Sequence, residues 1–518
     1  MFFCILALNT PKFPKMSNRS ILLFAACLSL SSGYAQKKVL TYPFEFEKSL
    51  LAVGDYDTYF LGDPSHNTFS LVFKDNKKVE YVLLDQNFKT VSKVSTNRDA
   101  SVFSEKNLKD CTGGTSNAHQ YHFIYPQSDN AYVMETADFD TKTINHKKLI
   151  DIPKGEKPLV AFSDNNVFYA ITTSNKAGTL NVSVVNGAGE LTQKSLSFPI
   201  PEEASKQRDK LDEYLGTTKV MKGGEYPDLS NSVHFAKLFT QPDKLTFVIN
   251  DGDNPAHIVS ISLPDLTLQE KKIDYAALIP KDEKGKVYVS SFLKGDRLFS
   301  LVLNKKSIRI VVNEVSSGTM LGKLEVNDDA ALDMFADGPM SERRYGKKTN
   351  TKEVTDVKKL IKMFNRGTEG LMVSENKNGQ LVLTVGTYDL IPLQTGGSSG
   401  SYVGGYGAPG LQNNGTQYNG ISGYNPQMYY RPGSPGYTTY NARYYNTTSF
   451  KILLDPKSFK NVRGRVPVSV PDQIKDYMEG VDSKAKATNQ FAIGNTQYYG
   501  YYDRDAHNYV VEQIKIMQ

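Results

Sequence analysis

Arg297–Val326 reads RLFSLVLNKKSIRIVVNEVSSGTMLGKLEV. Two apolar, β-branched runs are split by a turn carrying Asn304, and a third run, with Lys323 and Val326, follows a turn carrying Gly318. Val and Ile favour pleated strands because their branched Cβ packs well on a sheet, and Asn and Gly tolerate tight turns. The same unit recurs in both directions: Phe69–Val94, Ala131–Ile152, Phe168–Phe198 and Leu245–Ile273 before it, then Leu381–Tyr388 resuming at Ser449–Val468. A β unit repeated at roughly 40–50 residues is the sequence signature of radial β architectures.

The expected fold is therefore all-β: a β-propeller of about seven blades, with tandem β-sandwich domains as the alternative. Val39–Phe46 (VLTYPFEF) is strand-like but has no hairpin partner beside it. The chain ends in a hairpin, Gln497–Ile516, that lacks a third strand. The N-terminal strand is expected to complete that last unit, because pairing the two ends removes exposed edges.

Composition agrees with strands rather than a helical core. Hydrophobic residues make up 39%, with 31 Tyr, 26 Phe and no Trp. Met16-Ser-Asn-Arg19 followed by the apolar Ile21–Leu30, with Gly33 and Ala35 before Gln36, has the grammar of an export signal. Residues 1–35 are read as a signal peptide, with Met16 as a possible true start, and residues 36–518 as one domain. A lipoprotein signal ending at Cys27 is the rival. Removal of residues 1–35 takes away Lys12, Lys15 and Arg19 and no acid, bringing the formal charge from +6 to +3. So small a balance argues against a nucleic-acid partner. Cys4 and Cys27 leave with the signal, so Cys111 remains alone and no internal disulfide can form. No later run is apolar enough to serve as a transmembrane anchor. The periplasm or cell surface is the expected location.

Three stretches interrupt the strand rhythm with helical periodicity: Pro201–Gly216, Thr351–Gly367 and Pro471–Gly480. The second places Val354, Val357, Leu360, Ile361 and Phe364 on one face. Its Lys352, Lys358, Lys359, Lys362 and Arg366 lie on the other, preceded by Arg343, Arg344, Lys347 and Lys348. The expectation is an apolar stripe packed on the sheets and a solvated basic face, with docking on anionic lipid headgroups or an acidic partner as the functional alternative.

Pro392–Asn446 is different. Gly, Tyr, Asn, Ser and Pro dominate it, and its charges are Arg431 and Arg443 alone. It cannot bury enough apolar surface to offset its ordering entropy, so a long disordered insertion between two paired strands is expected. Its tyrosines are the candidate binding residues: Tyr402, Tyr406, Tyr418, Tyr424, Tyr429, Tyr430, Tyr437, Tyr440, Tyr444 and Tyr445. Flat rings with polar tips on a Gly/Ser/Asn backbone make adaptable contacts to a protein or glycan. A spacer without specific affinity is the bland alternative.

Chemistry-bearing motifs are thin. His119 and His122, three apart on a strand, would face opposite ways and cannot share a metal. Asn250–Asn254 concentrates oxygen ligands without a complete calcium loop and reads as a turn. Gly396–Gly400 matches a nucleophile-elbow pattern only within low complexity, and Ser374–Lys377 matches S-x-x-K only in a polar turn. No catalytic residue, metal or cofactor is assigned.

The spaced hairpins resemble secreted bacterial β-propeller proteins across most of residues 36–518. Without Trp there is no WD dipeptide, and no Asp-box is evident. The resemblance implies architecture and no site residues. An exported envelope binding or scaffold protein, partnered by an envelope protein or glycan, is the leading expectation. A polysaccharide hydrolase or lyase with carboxylates at a central channel is the second. A surface component assembling through residues 392–446 is the third.

Overall fold

A computed structural model describes residues 37–46, 57–74, 78–97, 111–127, 131–174, 178–201, 210–223, 228–250, 255–278, 287–327, 334–345, 348–376, 378–390, 444–466, 468, 470–481, 485–494 and 496–516. Residues 1–36, and with them the signal-peptide reading, lie outside this set.

The described residues form seven sheets in chain order. The fifth shows the pattern: Tyr288–Lys294, Arg297–Leu303, Ser307–Glu314 and Met320–Asn327 pair antiparallel with their chain neighbours. Ser307–Glu314 is buried on both faces along almost its whole length, whereas most of Met320–Asn327 meets solvent. The first sheet (Asp57–Asp63, Thr68–Lys74, Lys78–Leu84, Thr90–Asn97) repeats this gradient, as do the second and third, which begin at Gly113–Asn117 and Glu156–Asp164. The fourth adds Lys219–Met221, parallel to its neighbour Ala236–Thr240.

Edge strands of different sheets lie against one another. Asp57–Asp63 contacts both Gly113–Asn117 and Ala485–Ile493, Gly113–Asn117 contacts Glu156–Asp164, and Tyr288–Lys294 contacts Glu369–Glu375. Serial stacking of small up-and-down sheets is the habit of propeller folds, whereas a sandwich faces two sheets together. Each expected triplet thus gains a leading strand that the hairpin pattern alone does not mark.

Apolar cores join consecutive sheets. Tyr81 and Phe123 join the first to the second, Ile124 and Phe168 the second to the third, and Phe162 and Phe247 the third to the fourth. One continuous cluster runs through the fourth, fifth and sixth. Polar ties recur beside these cores. The buried Asp63 carboxylate accepts from the Ala118 amide (3.0 Å), Asn166 Oδ1 from the Ser116 amide (2.7 Å), and Asn250 Oδ1 from the Ser291 amide (2.8 Å). Tyr81 donates to the buried Glu135 across the first joint. Satisfying each buried acceptor across a joint avoids a penalty of about 1–3 kcal/mol per group.

The seventh sheet brings the chain ends together. Ala485–Ile493, Thr496–Asp503 and Asn508–Ile514 are followed, spatially, by Lys37–Pro43. That N-terminal strand runs antiparallel to the C-terminal one, from Lys37 opposite Gln513 to Pro43 opposite Asn508. Tyr42 stacks on Phe73 of the first sheet (5.2 Å), and Tyr509 meets the same ring edge-on (5.2 Å), so this pairing is also packed.

The described residues include four α-helices, α1 (Leu211–Leu215), α2 (Leu229–Ser232), α3 (Val357–Phe364) and α4 (Val470–Val481). In α4, Ile474 and Met478 pack on Tyr499 and Ile514 of the seventh sheet. The expected helix over Thr351–Gly367 is corrected. Asp356 caps the amides of Lys358 and Lys359 and starts α3 at Val357, while Thr351–Glu353 belong to an edge strand paired with Met340–Glu342. A carboxylate at the N-cap satisfies free helix donors, and strand pairing takes the residues upstream.

Candidate binding surface

The sixth sheet departs from the local pattern. Its order is Lys348–Glu353, Asp337–Tyr345, Tyr444–Leu454, Leu381–Leu390 and Glu369–Glu375. Leu381–Leu390 and Tyr444–Leu454 form a long ribbon, in register from Leu381 opposite Leu454 to Leu390 opposite Tyr445. The expected pairing of these two segments is present. The tyrosine-rich tract therefore leaves at Leu390 and returns at Tyr444.

This shortens the expected insertion and reassigns one of its tyrosines. Tyr445 is a strand residue, 6% exposed, stacked on Tyr388 at 5.2 Å and donating to Glu342 Oε1 at 2.5 Å. Its ring closes the base of the ribbon and is not a free contact maker. Tyr444 opens the same strand. Tyr402, Tyr406, Tyr418, Tyr424, Tyr429, Tyr430, Tyr437 and Tyr440 lie outside the described residues.

Opposite the tract, the ribbon is anchored by close packing at two glycines. Gly370 and Gly386 face each other in register; a Cβ on Gly370 would run into Ser232 of α2, and one on Gly386 would meet the Thr448 carbonyl at 2.6 Å and Leu229 of α2 at 2.8 Å. Asp389 holds the chain entering the sheet by accepting from the Thr368 amide and hydroxyl, both at 2.9 Å. The free edge is different in kind: all six residues of Lys348–Glu353 are exposed. Lysines on such an edge oppose unplanned strand pairing.

Where sheets four to six meet, the groups are polar and buried. Lys237 is fully buried, its Nζ 3.5 Å from Ser290 Oγ, which in turn donates to the Ser232 carbonyl at 3.4 Å. Burial pulls the Lys237 ammonium down to about 7, against the opposing pull of Glu369. Burial also drives His234 down to about 3, with Lys219 and Lys237 adding repulsion. Among the described residues, no group of three or more His, Cys, Asp or Glu is placed to hold a metal.

The remaining sequence candidates are dispersed. His119 sits in a turn, just outside the strand beginning at Gln120, and meets Asp140 (2.8 Å). His122 is buried against Thr136 (2.8 Å) and lowered to about 4, by burial first and Lys147 second. Cys111 is buried, its thiol donating to the Gly113 carbonyl at 3.2 Å. Asn250 is an inter-sheet tie, while Asp251–Asn254 and Gly396–Gly400 lie outside the described residues. Ser374 is in a strand, not at a helix start.

A shallow cleft of about 400 Å³, not anticipated from the sequence, lies where Tyr42–Glu45 leave the seventh sheet beside Lys78, Glu80 and Lys93. Tyr42 donates to Glu80 Oε1 (2.5 Å), and the Lys78 ammonium lies 4.5 Å from the Phe44 ring centre. No local motif marks it, because its walls are distant in sequence.

No family model matches the chain, and no curated protein matches it by sequence. Among solved structures it is similar to the β-propeller domain of the Trilobed protease from Pyrococcus furiosus. Identity is 8%, with 90% of this chain and 96% of that one covered, at a TM-score of 0.31. It is also similar to prolyl oligopeptidase B from Galerina marginata (10%, 66% and 48%, TM-score 0.27). A third likeness is to a mutant of puromycin hydrolase (10%, 66% and 44%, TM-score 0.25). The chain spans about half the length of these two hydrolytic proteins. All three scores are low, and the architecture rests on strand pairing and packing.

Proposed function

We propose that the seven sheets are blades of one closed propeller, residues 36–518, and that the protein is an exported envelope scaffold. It binds a protein or glycan partner through the insertion carried by the sixth blade. The observation that carries the reading is the ribbon of Leu381–Leu390 and Tyr444–Leu454. A strand pair locked in register, glycine-seated on α2 and closed by the Tyr388–Tyr445 stack is a rigid base for a tyrosine-rich arm. Rigid bases with adaptable aromatic tips are a productive division of labour in recognition.

Closure is supported by the pairing of Lys37–Pro43 with Asn508–Ile514 and by α4 packed on the seventh sheet. Export is supported by the grammar of residues 16–36. Cleavage before Gln36 predicts a secreted chain whose N-terminal sequencing begins QKKVLTY. A lipid-modified Cys27 at the N-terminus would replace that reading.

The functional test is deletion of residues 394–443, which leaves the Tyr388–Tyr445 base intact. Affinity capture from the native envelope should lose its specific partner while thermal unfolding is unchanged. Undiminished capture by the shortened chain would remove the insertion from the account.

A further inference from the structure

We infer that α3 and the neighbouring turn of the fifth sheet form a cationic docking surface for the anionic headgroups of a lipid bilayer. Lys358, Lys359, Lys362 and Arg366 are all exposed. Lys358 and Lys362 stand four apart on α3 with Lys359 flanking them, so the three share one helix face, and Arg366 follows in the turn that ends the helix. The buried face, Val357, Leu360, Ile361 and Phe364, is spent on the core, with Phe364 stacked on Phe450 at 5.6 Å. The helix cannot roll to hide its charges.

Folding adds what the sequence does not show. Asn365 Nδ2 donates to the Asn304 carbonyl at 2.9 Å, which brings the tip Lys305-Lys306 beside the end of α3. Asn304 Oδ1 in turn accepts from the amides of Lys306 and Ser307, both at 2.8 Å, fixing the tip. Both lysines are exposed. Two segments whose linking residues stand 61 apart in the chain are thus tied together to display six cations.

Elsewhere the surface mixes its signs: Lys148 pairs with Asp151, Lys272 with Glu270, Lys294 with Glu375 and Lys323 with Glu325. None of the six cations has a carboxylate partner among the described residues. The closest acid in sequence, Asp356, is engaged by the helix amides. Like charges four apart on a helix destabilise it, so an unrelieved row is a cost that a polyanion would reverse. A convex helix beside a turn tip offers no groove to grip a peptide or sugar chain. It does suit point charges spread across a plane, and the absence of apolar side chains on this face makes the attraction electrostatic.

Co-sedimentation of the full chain with vesicles tests this. Vesicles of phosphatidylcholine with about one third phosphatidylglycerol should bind it, pure phosphatidylcholine should not, and raising salt should release it. K358Q/K362Q/R366Q should weaken binding roughly a hundredfold, at about fivefold per charge. K148Q/K272Q, on the second and fourth sheets, should leave it unchanged. Thermal unfolding of each variant reports folding, and a chain lacking residues 394–443 should bind vesicles as the full chain does. Equal binding to neutral vesicles, no binding to anionic ones, or binding to soluble polyphosphate but not to vesicles would each overturn the assignment.

Discussion

The fifth and sixth sheets share one apolar core but are built on opposite plans. In the fifth, every strand pairs with its chain neighbour, and burial falls from the interior strands to the exposed Met320–Asn327. In the sixth, the strands before α3 return to flank those after it, and a long ribbon projects where the fifth has a short turn. Arg297 ties the two, donating to the Pro456 carbonyl (3.0 Å) and lying over Phe459 (4.9 Å). The core-facing side of the sixth sheet is thus held to the common design, while its far end is free to carry an insertion.

Substitutions in the two sheets should therefore differ in effect. The largest effect should come from Leu301→Ala in the fifth sheet, a fully buried side chain whose loss leaves a cavity. About 2–5 kcal/mol of stability should disappear in denaturant unfolding. By contrast, Lys352→Ala on the exposed edge of the sixth should stay within about 0.5 kcal/mol.

Next in size is the pH response of the joint between sheets four and six. Lys237 is held near 7, well below its ordinary value, so its folded form resists the proton that the unfolded chain still binds. Stability should therefore rise with pH from about 7 towards about 10.4, at roughly 1.4 kcal/mol per unit at most. Lys237→Met should flatten that rise in thermal scans. His234, held near 3, acts below this window: the fold should lose stability as pH falls from about 6.5.

Tyr445→Phe should cost about 1 kcal/mol, since it removes the hydrogen bond to Glu342 and keeps the stack on Tyr388. Removing residues 394–443 should change stability least of all, because the ribbon's register ends at Leu390 and Tyr445. A marked fall in melting temperature would mean that the tract is part of the core structure.

What was legible in the sequence follows from these plans. Interior hairpins such as Arg297–Glu314 announce themselves through long β-branched runs. The leading strand Gly113–Asn117 (GGTSN) does not, because small polar residues suit close strand approach and look like a loop. The order of the sixth sheet was hidden since it depends on pairing Asp337–Tyr345 with Tyr444–Leu454 across about a hundred residues. Tyr445 was masked by its neighbours' composition: a tyrosine at the end of a tyrosine-rich tract carries no mark of burial. The basic face of α3 was readable, but its union with Lys305 and Lys306 required the Asn365–Asn304 contact.

The most direct measurement addresses whether the chain ends close one sheet. Thr41 lies opposite Val510 in the antiparallel ladder. In a T41C/V510C variant with Cys111 left buried, oxidation should give a disulfide joining the N-terminal and C-terminal peptides on digestion, in a chain that resists unfolding better than its reduced form. Two free thiols at positions 41 and 510 after oxidation of the folded protein would contradict closure.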